Sequence, residues 1–358
     1  MEQALYQDDT ISSRRGNIWR LVFGAYTVLW LTPLLQAQQL PLPRFTEQVQ
    51  VTRILIDARV LDDAGAPVLD LGTDDFKVEI GGKLAPVESV SWVSGHTGTP
   101  EDALKRSAVN DSGPLPQGRL IIFFIQKDME QGRVRGLVRL LVELRKFLDT
   151  FTSNDRIAVL SFDTYLKVWS DFTNDFDDIR AILKDGILFH SPGPVRQGAS
   201  PSLLAHLDLA RTQRTYSVEK ALYLLGEALE PLPGSKAIVL VGHGFGFLTR
   251  HGVLMVNRYD NTSKMLQAAR ASVFSLDITD ADFHALEVGL QNVSDETGGF
   301  FARTNVFTAR PLKRLEGALT GHYVLLVERP QISPGEHRVR VKLTRVKGTV
   351  LARTSFVG

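Results

Sequence analysis

RLIIFFIQKDME (Arg119–Glu130) opens with six consecutive apolar residues after Arg119 and closes in polar ones. A half-exposed strand alternates apolar and polar residues, so an unbroken apolar run of this length predicts a strand covered on both faces, as in a parallel sheet. Val134, Leu137, Val138, Leu141, Leu144 and Leu148 then recur at helical spacing. RIAVLSF (Arg156–Phe162) is a second buried strand, and LKVWSDF (Leu166–Phe172) a more polar one. The turn between them is too short for a crossover, which predicts an antiparallel edge.

Helices are expected over Asp175–Leu183, Ser217–Leu229, Thr262–Arg270 and Phe283–Glu296. Between them lie the strands KAIVLVG (Lys236–Gly242), SVFSLDI (Ser272–Ile278) and GGFFAR (Gly298–Arg303). This alternation predicts an α/β fold over residues 118–305: a doubly wound, mostly parallel sheet with one antiparallel edge strand.

The flanks read as β structure. In VTRILIDARVLDD (Val51–Asp63), Ile54, Ile56, Ala58 and Val60 alternate with Arg53, Leu55, Asp57 and Arg59. FKVEIGGKLAPVESVSWV (Phe76–Val93) reads as a hairpin on Gly81-Gly82 followed by a further strand. This module, residues 44–94, is too small to bury a self-sufficient core comfortably. Residues 95–117, rich in Gly and Pro, read as a linker. Residues 306–358 read as a helix followed by the strands YVLLVE (Tyr323–Glu328), HRVRVKL (His337–Leu343) and VLARTSF (Val350–Phe356). The two ends are expected to complete one small β domain into which the α/β domain is inserted. Asp57, Asp62, Asp63, Asp70, Asp74 and Asp75 lack the spacing of a calcium loop and are read as turn residues. Arg338, Arg340 and Lys342 share one strand face, expected to be solvated.

The chain has 358 residues, with 41 Lys+Arg against 40 Asp+Glu and a net charge of +1. That balance argues against nucleic acid as a partner, which would call for a basic excess. With no cysteine, disulfide frameworks, thiolate metal sites and thiol catalysis are excluded. Residues 1–37 place Arg14, Arg15 and Arg20 before the apolar run LVFGAYTVLWLTPLL (Leu21–Leu35), with Ala37 at a cleavage-type position. They read as a signal peptide, or, uncleaved, as an anchor helix and the chain's one membrane contact. The expected location is secreted, periplasmic or on the cell envelope.

The antiparallel hairpin inside a doubly wound sheet resembles the von Willebrand factor A (vWA) fold. ILIDARVLDDAGAPVLDLGTDDFKVEIGGK (Ile54–Lys83), SDETGGFFARTN (Ser294–Asn305), YVLLVERP (Tyr323–Pro330) and GEHRVRVKL (Gly335–Leu343) are, in that order, similar to segments of the secreted vWA-related proteins of acidobacteria.

The resemblance implies a metal-ion-dependent adhesion site: Asp-x-Ser-x-Ser after the first sheet strand, a Thr in a later loop, and an Asp after the fourth strand. A hard divalent cation there needs oxygen ligands and a vacancy for the partner's carboxylate. This chain has Gln126 at the first position, followed by Lys127, Asp128, Met129 and Glu130; Ser200 stands for the Thr, and His243 follows KAIVLVG. Both anchoring carboxylates are replaced, so the expectation is a degenerate site without a metal or other cofactor. The alternative is an irregular site at Asp128, Glu130, Ser200 and His243 for one divalent cation, Mg²⁺ or Mn²⁺, with Zn²⁺ ranked behind; an imidazole beside carboxylates favours a transition ion.

VLVGHGFGF (Val239–Phe247) superficially resembles a hydrolase nucleophile elbow, but Gly244 occupies the nucleophile position and has no hydroxyl. A dinucleotide loop fares no better, because its third glycine falls on Phe247. A hydrolase using unrecognised residues is the remaining enzymatic alternative. The expectation is a noncatalytic protein-interaction or adhesion scaffold with a protein partner. Its contacts would come from the loops at the carboxyl edge of the sheet, with Phe245, Phe247 and Arg250 as candidate anchors.

Overall fold

The computed structural model describes residues 53–95, 118–255, 258–281 and 283–357, all within the unit Gln50–Gly358. The signal segment 1–37, residues 44–52 of the N-terminal module and residues 96–117 of the linker lie outside the described residues.

Strands β1 (Arg53–Leu61), β2 (Phe76–Ile80), β3 (Lys83–Ala85) and β4 (Val87–Ser94) precede the α/β region. That region runs β5 (Leu120–Gln126), α1 (Gln131–Phe147), β6 (Arg156–Phe162), β7 (Leu166–Thr173), α2 (Phe176–Ala181) and α3 (Val218–Leu229). It continues through β8 (Lys236–Gly242), β9 (Phe247–Thr249), β10 (Gly252–Leu254), α4 (Tyr259–Ala268), β11 (Ala271–Asp277), α5 (Glu287–Thr297) and β12 (Phe301–Arg303). Helix α6 (Ala309–Thr320) leads to β13 (Gly321–Glu328), β14 (Glu336–Leu343), β15 (Thr349–Ala352) and β16 (Ser355–Val357).

The central sheet has the order β12-β11-β8-β5-β6-β7. All its pairings are parallel except β6 with β7, where Phe162 faces Leu166 across the short turn. The apolar run of β5 is buried along its whole length because alternate residues feed two different cores. Leu120, Ile122 and Phe124 pack with Leu222, Leu225, Leu266, Leu290 and Val293, from α3, α4 and α5. Ile121, Phe123 and Ile125 pack with Leu137, Leu140, Leu141 and Leu144 of α1 and with Leu312 and Leu315 of α6. At about 1.5–3 kcal/mol for each large apolar side chain removed from water, a strand buried on both faces anchors both layers.

The flanking strands form two four-stranded sheets, β15-β1-β13-β4 and β16-β14-β2-β3. β1 pairs antiparallel with β13, Ile56 opposite Leu325, and β2 pairs with β14, Val78 opposite Val341. Between the sheets lie Ile54, Ile56, Ala58, Val60, Val78, Ile80, Tyr323, Leu325 and Val339. The Tyr323 ring stands edge-on to Phe76 and Trp92, and its hydroxyl donates to Val68 O at 2.8 Å. Arg338, Arg340 and Lys342 lie on the exposed face of β14.

The second face of β1 turns toward the α/β layers. Leu61 joins the core under β5, and Arg59, 4 % exposed, donates to Ala318 O at 3.0 Å and Ser272 Oγ at 2.8 Å. Asp57 accepts two hydrogen bonds from Arg270, at 2.7 and 2.9 Å. Asp57 is therefore a half-buried strand residue holding an ion pair, which corrects its reading as a turn residue. Asp62 does serve a turn, accepting from the amides of Ala64 and Ala66.

Two helix boundaries differ from the periodicity. Helix α4 starts at Tyr259, ahead of Thr262. Helix α5 starts at Glu287 and not at Phe283, which is exposed. Helical apolar spacing runs on from Leu286 back to Phe283, but the chain there bends away and the periodic signal overshoots the true start.

Candidate functional site

The strand order reverses between β5 and β8, whose connections run to opposite sides of the sheet. The crevice beyond their carboxyl ends is where open α/β sheets place ligands. Three residues from the two strand ends close it. The Gln126 amide, itself buried, donates from Nε2 to Gly244 O at 2.9 Å and approaches His243 Nε2 at 3.1 Å; its Oε1 accepts from the His243 amide at 3.1 Å. Gly242 makes room for this arrangement, since a Cβ there would stand 2.6 Å from Gln126 Oε1. The Gln126 amide thus ties the end of β5 to the loop after β8.

The neighbouring carboxylates are already engaged. Arg133 of α1 donates to Asp128 Oδ2, and its Nε lies 3.1 Å from Glu130 Oε2. Burial alone would raise the Asp128 carboxyl, but the Glu130 amide and Arg133 together hold it below the usual range. Lys127 points elsewhere, donating to Leu188 O at 3.1 Å.

His243 Nε2 lies 3.7 Å from Asp128 Oδ2, and the imidazole is 11 % exposed. Burial first, and the Arg133 charge second, push it down to about 4. It is therefore neutral at pH 7. Because Nε2 accepts from the Gln126 amide, the ring proton sits on Nδ1, which is buried and has no partner among the described residues.

The structure brings Gln126, Asp128, Glu130 and His243 together. Ser200 is exposed and makes no hydrogen bond to them among the described residues. Its loop is organised by Asp171 of β7, which accepts from the Gly198 and Leu203 amides and from Ser202 Oγ. The resemblance aligns this loop with the crevice; nothing in the sequence marks Asp171 as its organiser.

Gly244 adopts φ +103°, and a Cβ there would stand 2.4 Å from Leu286 O, so no serine fits at the supposed elbow. Phe245 is buried, its ring 6.4 Å from that of Tyr259. This corrects its reading as a partner anchor: it packs under its own loop. Phe247, by contrast, begins a projecting hairpin. β9 and β10 pair antiparallel around Arg250-His251, with Gly252 at φ +120°. Phe247, Leu248 and Leu254 are 61, 60 and 57 % exposed, and Arg250 is exposed at the tip. The segment Thr249–Gly252 is the turn of this hairpin.

A second cluster, not foreseen from the sequence, stands at the carboxyl end of β11, one strand beyond β8. Asp277 is opposite Gly242 in register, and the Ile278 amide donates to Gly242 O at 2.9 Å. Asp277, wholly buried, accepts at Oδ1 from the amide and hydroxyl of Thr279, at 2.9 and 2.6 Å. Its Oδ2 lies 2.9 Å from His284 Nε2. Glu287, at the first turn of α5 and 1 % exposed, is held by Arg303 at 2.6–3.0 Å and by Gln291 at 3.0 Å. One ligand-type atom from each of Asp277, His284 and Glu287 falls within 4.8 Å of the others. The legible signals were an acid ending a buried apolar strand and a His–Glu pair three residues apart. The expected helix from Phe283 concealed them, because it would have turned His284 into a helical side chain.

No family model matches the chain, and no curated protein matches it. Among solved structures the chain is similar to a von Willebrand factor type A protein from Catenulispora acidiphila. The identity is 12%, with 80% of this chain and 75% of that one covered and a TM-score of 0.40. It is also similar to the vWF domain of the type V pili tip protein Mfa5 from Porphyromonas gingivalis, at 11% identity over 62% of this chain and 99% of that one, TM-score 0.38. A third likeness is to the conserved hypothetical protein BatB from Bacteroides thetaiotaomicron, at 12% identity over 56% and 97%, TM-score 0.36. At TM-scores this low the likenesses decide nothing about what this chain binds. Among the described residues, no helix is long and apolar enough to cross a membrane.

Proposed function

We propose that the chain is an exported, noncatalytic interaction scaffold. Its vWA-like domain takes a protein partner on the loops at the carboxyl edge of the central sheet, and the adhesion-type position between β5 and β8 works without a cation. The observation that carries the reading is the β9–β10 hairpin, which leaves the switch point and presents Phe247, Leu248 and Leu254 to solvent. Aromatic and aliphatic side chains grouped at a loop edge, with Arg250 beside them, have the composition of an interface centre. Supporting the cation-free part, Gln126 spends its amide on Gly244 and His243, and Arg133 pairs with both Asp128 and Glu130. A hard cation at that position would have to break both sets of contacts and tolerate Arg133 beside it.

The test is capture of envelope proteins by the full chain, with crosslinking and mass spectrometry, in the presence and absence of EDTA. The expected result is a defined partner retained in EDTA and lost from the double variant Phe247→Ser/Leu248→Ser. Capture that needs Mg²⁺ or Mn²⁺ and disappears in Asp128→Asn would replace this reading with metal-dependent adhesion.

A further inference from the structure

We propose that Asp277, His284 and Glu287 form a binding site for one divalent transition-metal ion, with zinc as the natural occupant. This site is separate from the adhesion-type position and one strand removed from it. The argument begins with charge. Asp277 is wholly buried, and its partners among the described residues are the neutral donors of Thr279 and the His284 ring. No lysine or arginine reaches it in this set. A buried carboxylate costs free energy unless it is paired, and an ion bound between Asp277 and His284 supplies such pairing. Glu287 is buried beside Arg303. Two buried carboxylates, one imidazole and one guanidinium thus meet at the cluster.

The donor atoms suit the ion. Thr279 occupies Asp277 Oδ1 and leaves Oδ2 directed at His284. A tetrahedral zinc with bonds of about 2.0–2.1 Å sets its ligand atoms about 3.3 Å apart. Asp277 and His284 stand 2.9 Å apart and Glu287 lies within 4.8 Å. Closing around zinc therefore takes an opening of a few tenths of an ångström between Asp277 and His284 and a movement of Glu287 of up to about 1.5 Å. Arg303 bonds both oxygens of Glu287 and Gln291 one of them, as outer partners orient metal-ligating carboxylates. A carboxylate has lone pairs enough to accept from Arg303 and bind an ion together. One imidazole with two carboxylate oxygens favours a borderline transition ion over Mg²⁺.

A second observation comes from the same edge of the sheet. His243 follows Gly242, the residue opposite Asp277. Its Nδ1–H is buried and lacks an acceptor among the described residues. Three protein ligands leave a fourth position on zinc for an oxygen from water or from a partner. To bind the ion, His284 carries its proton on Nδ1 and offers the Nε2 lone pair, and any proton on Nε2 passes to solvent.

The test uses the full chain without a polyhistidine tag, stripped with chelator and titrated with Zn²⁺ by calorimetry and with Co²⁺ by visible absorption. The expected result is saturable uptake of one ion per chain, with cobalt d–d bands. His284→Ala should weaken uptake by more than about tenfold, while Asp128→Asn leaves it unchanged. Glu287→Gln, close in shape to the native side chain, supplies the same comparison should His284→Ala fail to fold. Three results would each overturn the proposal: no saturable uptake, uptake indifferent to the His284 and Glu287 variants, or uptake abolished by Asp128→Asn. None of them touches the capture result on which the interaction reading depends.

Discussion

Replacing Asp57 with Asn tests how the α/β layers are fastened to the flanking sheets. Asp57 sits on β1 with its side chain 14 % exposed and receives two hydrogen bonds from Arg270, at 2.7 and 2.9 Å. His322 Nε2 lies 3.6 Å away, and Arg59 is on the same face of the strand. Burial by itself would raise this carboxyl, but Arg270 first, then His322 and Arg59, hold it well below the usual carboxylate range. Asparagine keeps the shape and removes the negative charge that faces Arg270 and Arg59. Removing one partner of a buried pair costs about 3–5 kcal/mol, and the low exposure of Asp57 leaves little solvent to screen that loss.

The assay is urea unfolding at pH 7 followed by fluorescence. Trp92 packs in the flanking sheets and Trp169 lies on β7, so single-tryptophan versions read the two regions separately. The pH dependence has a definite sign. The folded carboxyl titrates below its unfolded value of 3.8, so the pair's contribution is complete above that pH and is lost as pH falls further. The gap between wild type and Asp57→Asn should therefore be constant from pH 7 to about 4 and shrink below it. A gap under about 0.5 kcal/mol at pH 7, the size expected of an ordinary surface change, would falsify the ion pair as a fastening.

Three further predictions follow from the crevice and its hairpin. His243, held down to about 4 against an unfolded 6.5, should stay neutral by NMR titration until pH nears 4; stability is lost as pH falls from 6.5 toward 4, by roughly 3 kcal/mol in total. An imidazole titrating near 6.5 in the folded protein would contradict its burial. Gly242→Ala should cost about 1–3 kcal/mol by driving a methyl into Gln126, and adding Gln126→Ala should recover part of it in a double-mutant cycle; additive losses would refute the contact. Phe247→Ser/Leu248→Ser should change stability by less than about 0.5 kcal/mol, measured by urea unfolding, because both side chains face solvent; a larger loss would mean that the hairpin packs against the body.

The corrections share one origin. Apolar spacing reports which residues need cover, and it cannot say where a helix stops being a helix. Phe283 kept the period of α5 although the chain had already bent. Phe245 and Phe247 are alike in sequence, yet one faces Tyr259 and the other water, because a hairpin two residues wide turns them apart. Asp57 sat in a string of aspartates and looked like the rest. Its partner Arg270 is 213 residues away along the chain.

The sequence by itself determined the central sheet and its covering. RLIIFFI, RIAVLSF, KAIVLVG and SVFSLDI are apolar on both faces, which only helices on both sides satisfy, and the turn after Phe162 allows nothing but an antiparallel partner. It also put Gln126 and His243 at the ends of two buried strands. Tertiary structure alone decided which polar groups meet: Gln126 with Gly244, Arg133 with both Asp128 and Glu130, and Asp277 with His284 and Glu287. Burial is a local property written in each segment's hydrophobicity. The pairing of charges and hydrogen bonds depends on loops whose paths are set by what they pack against, and residues far apart in the chain become neighbours only after that packing is complete.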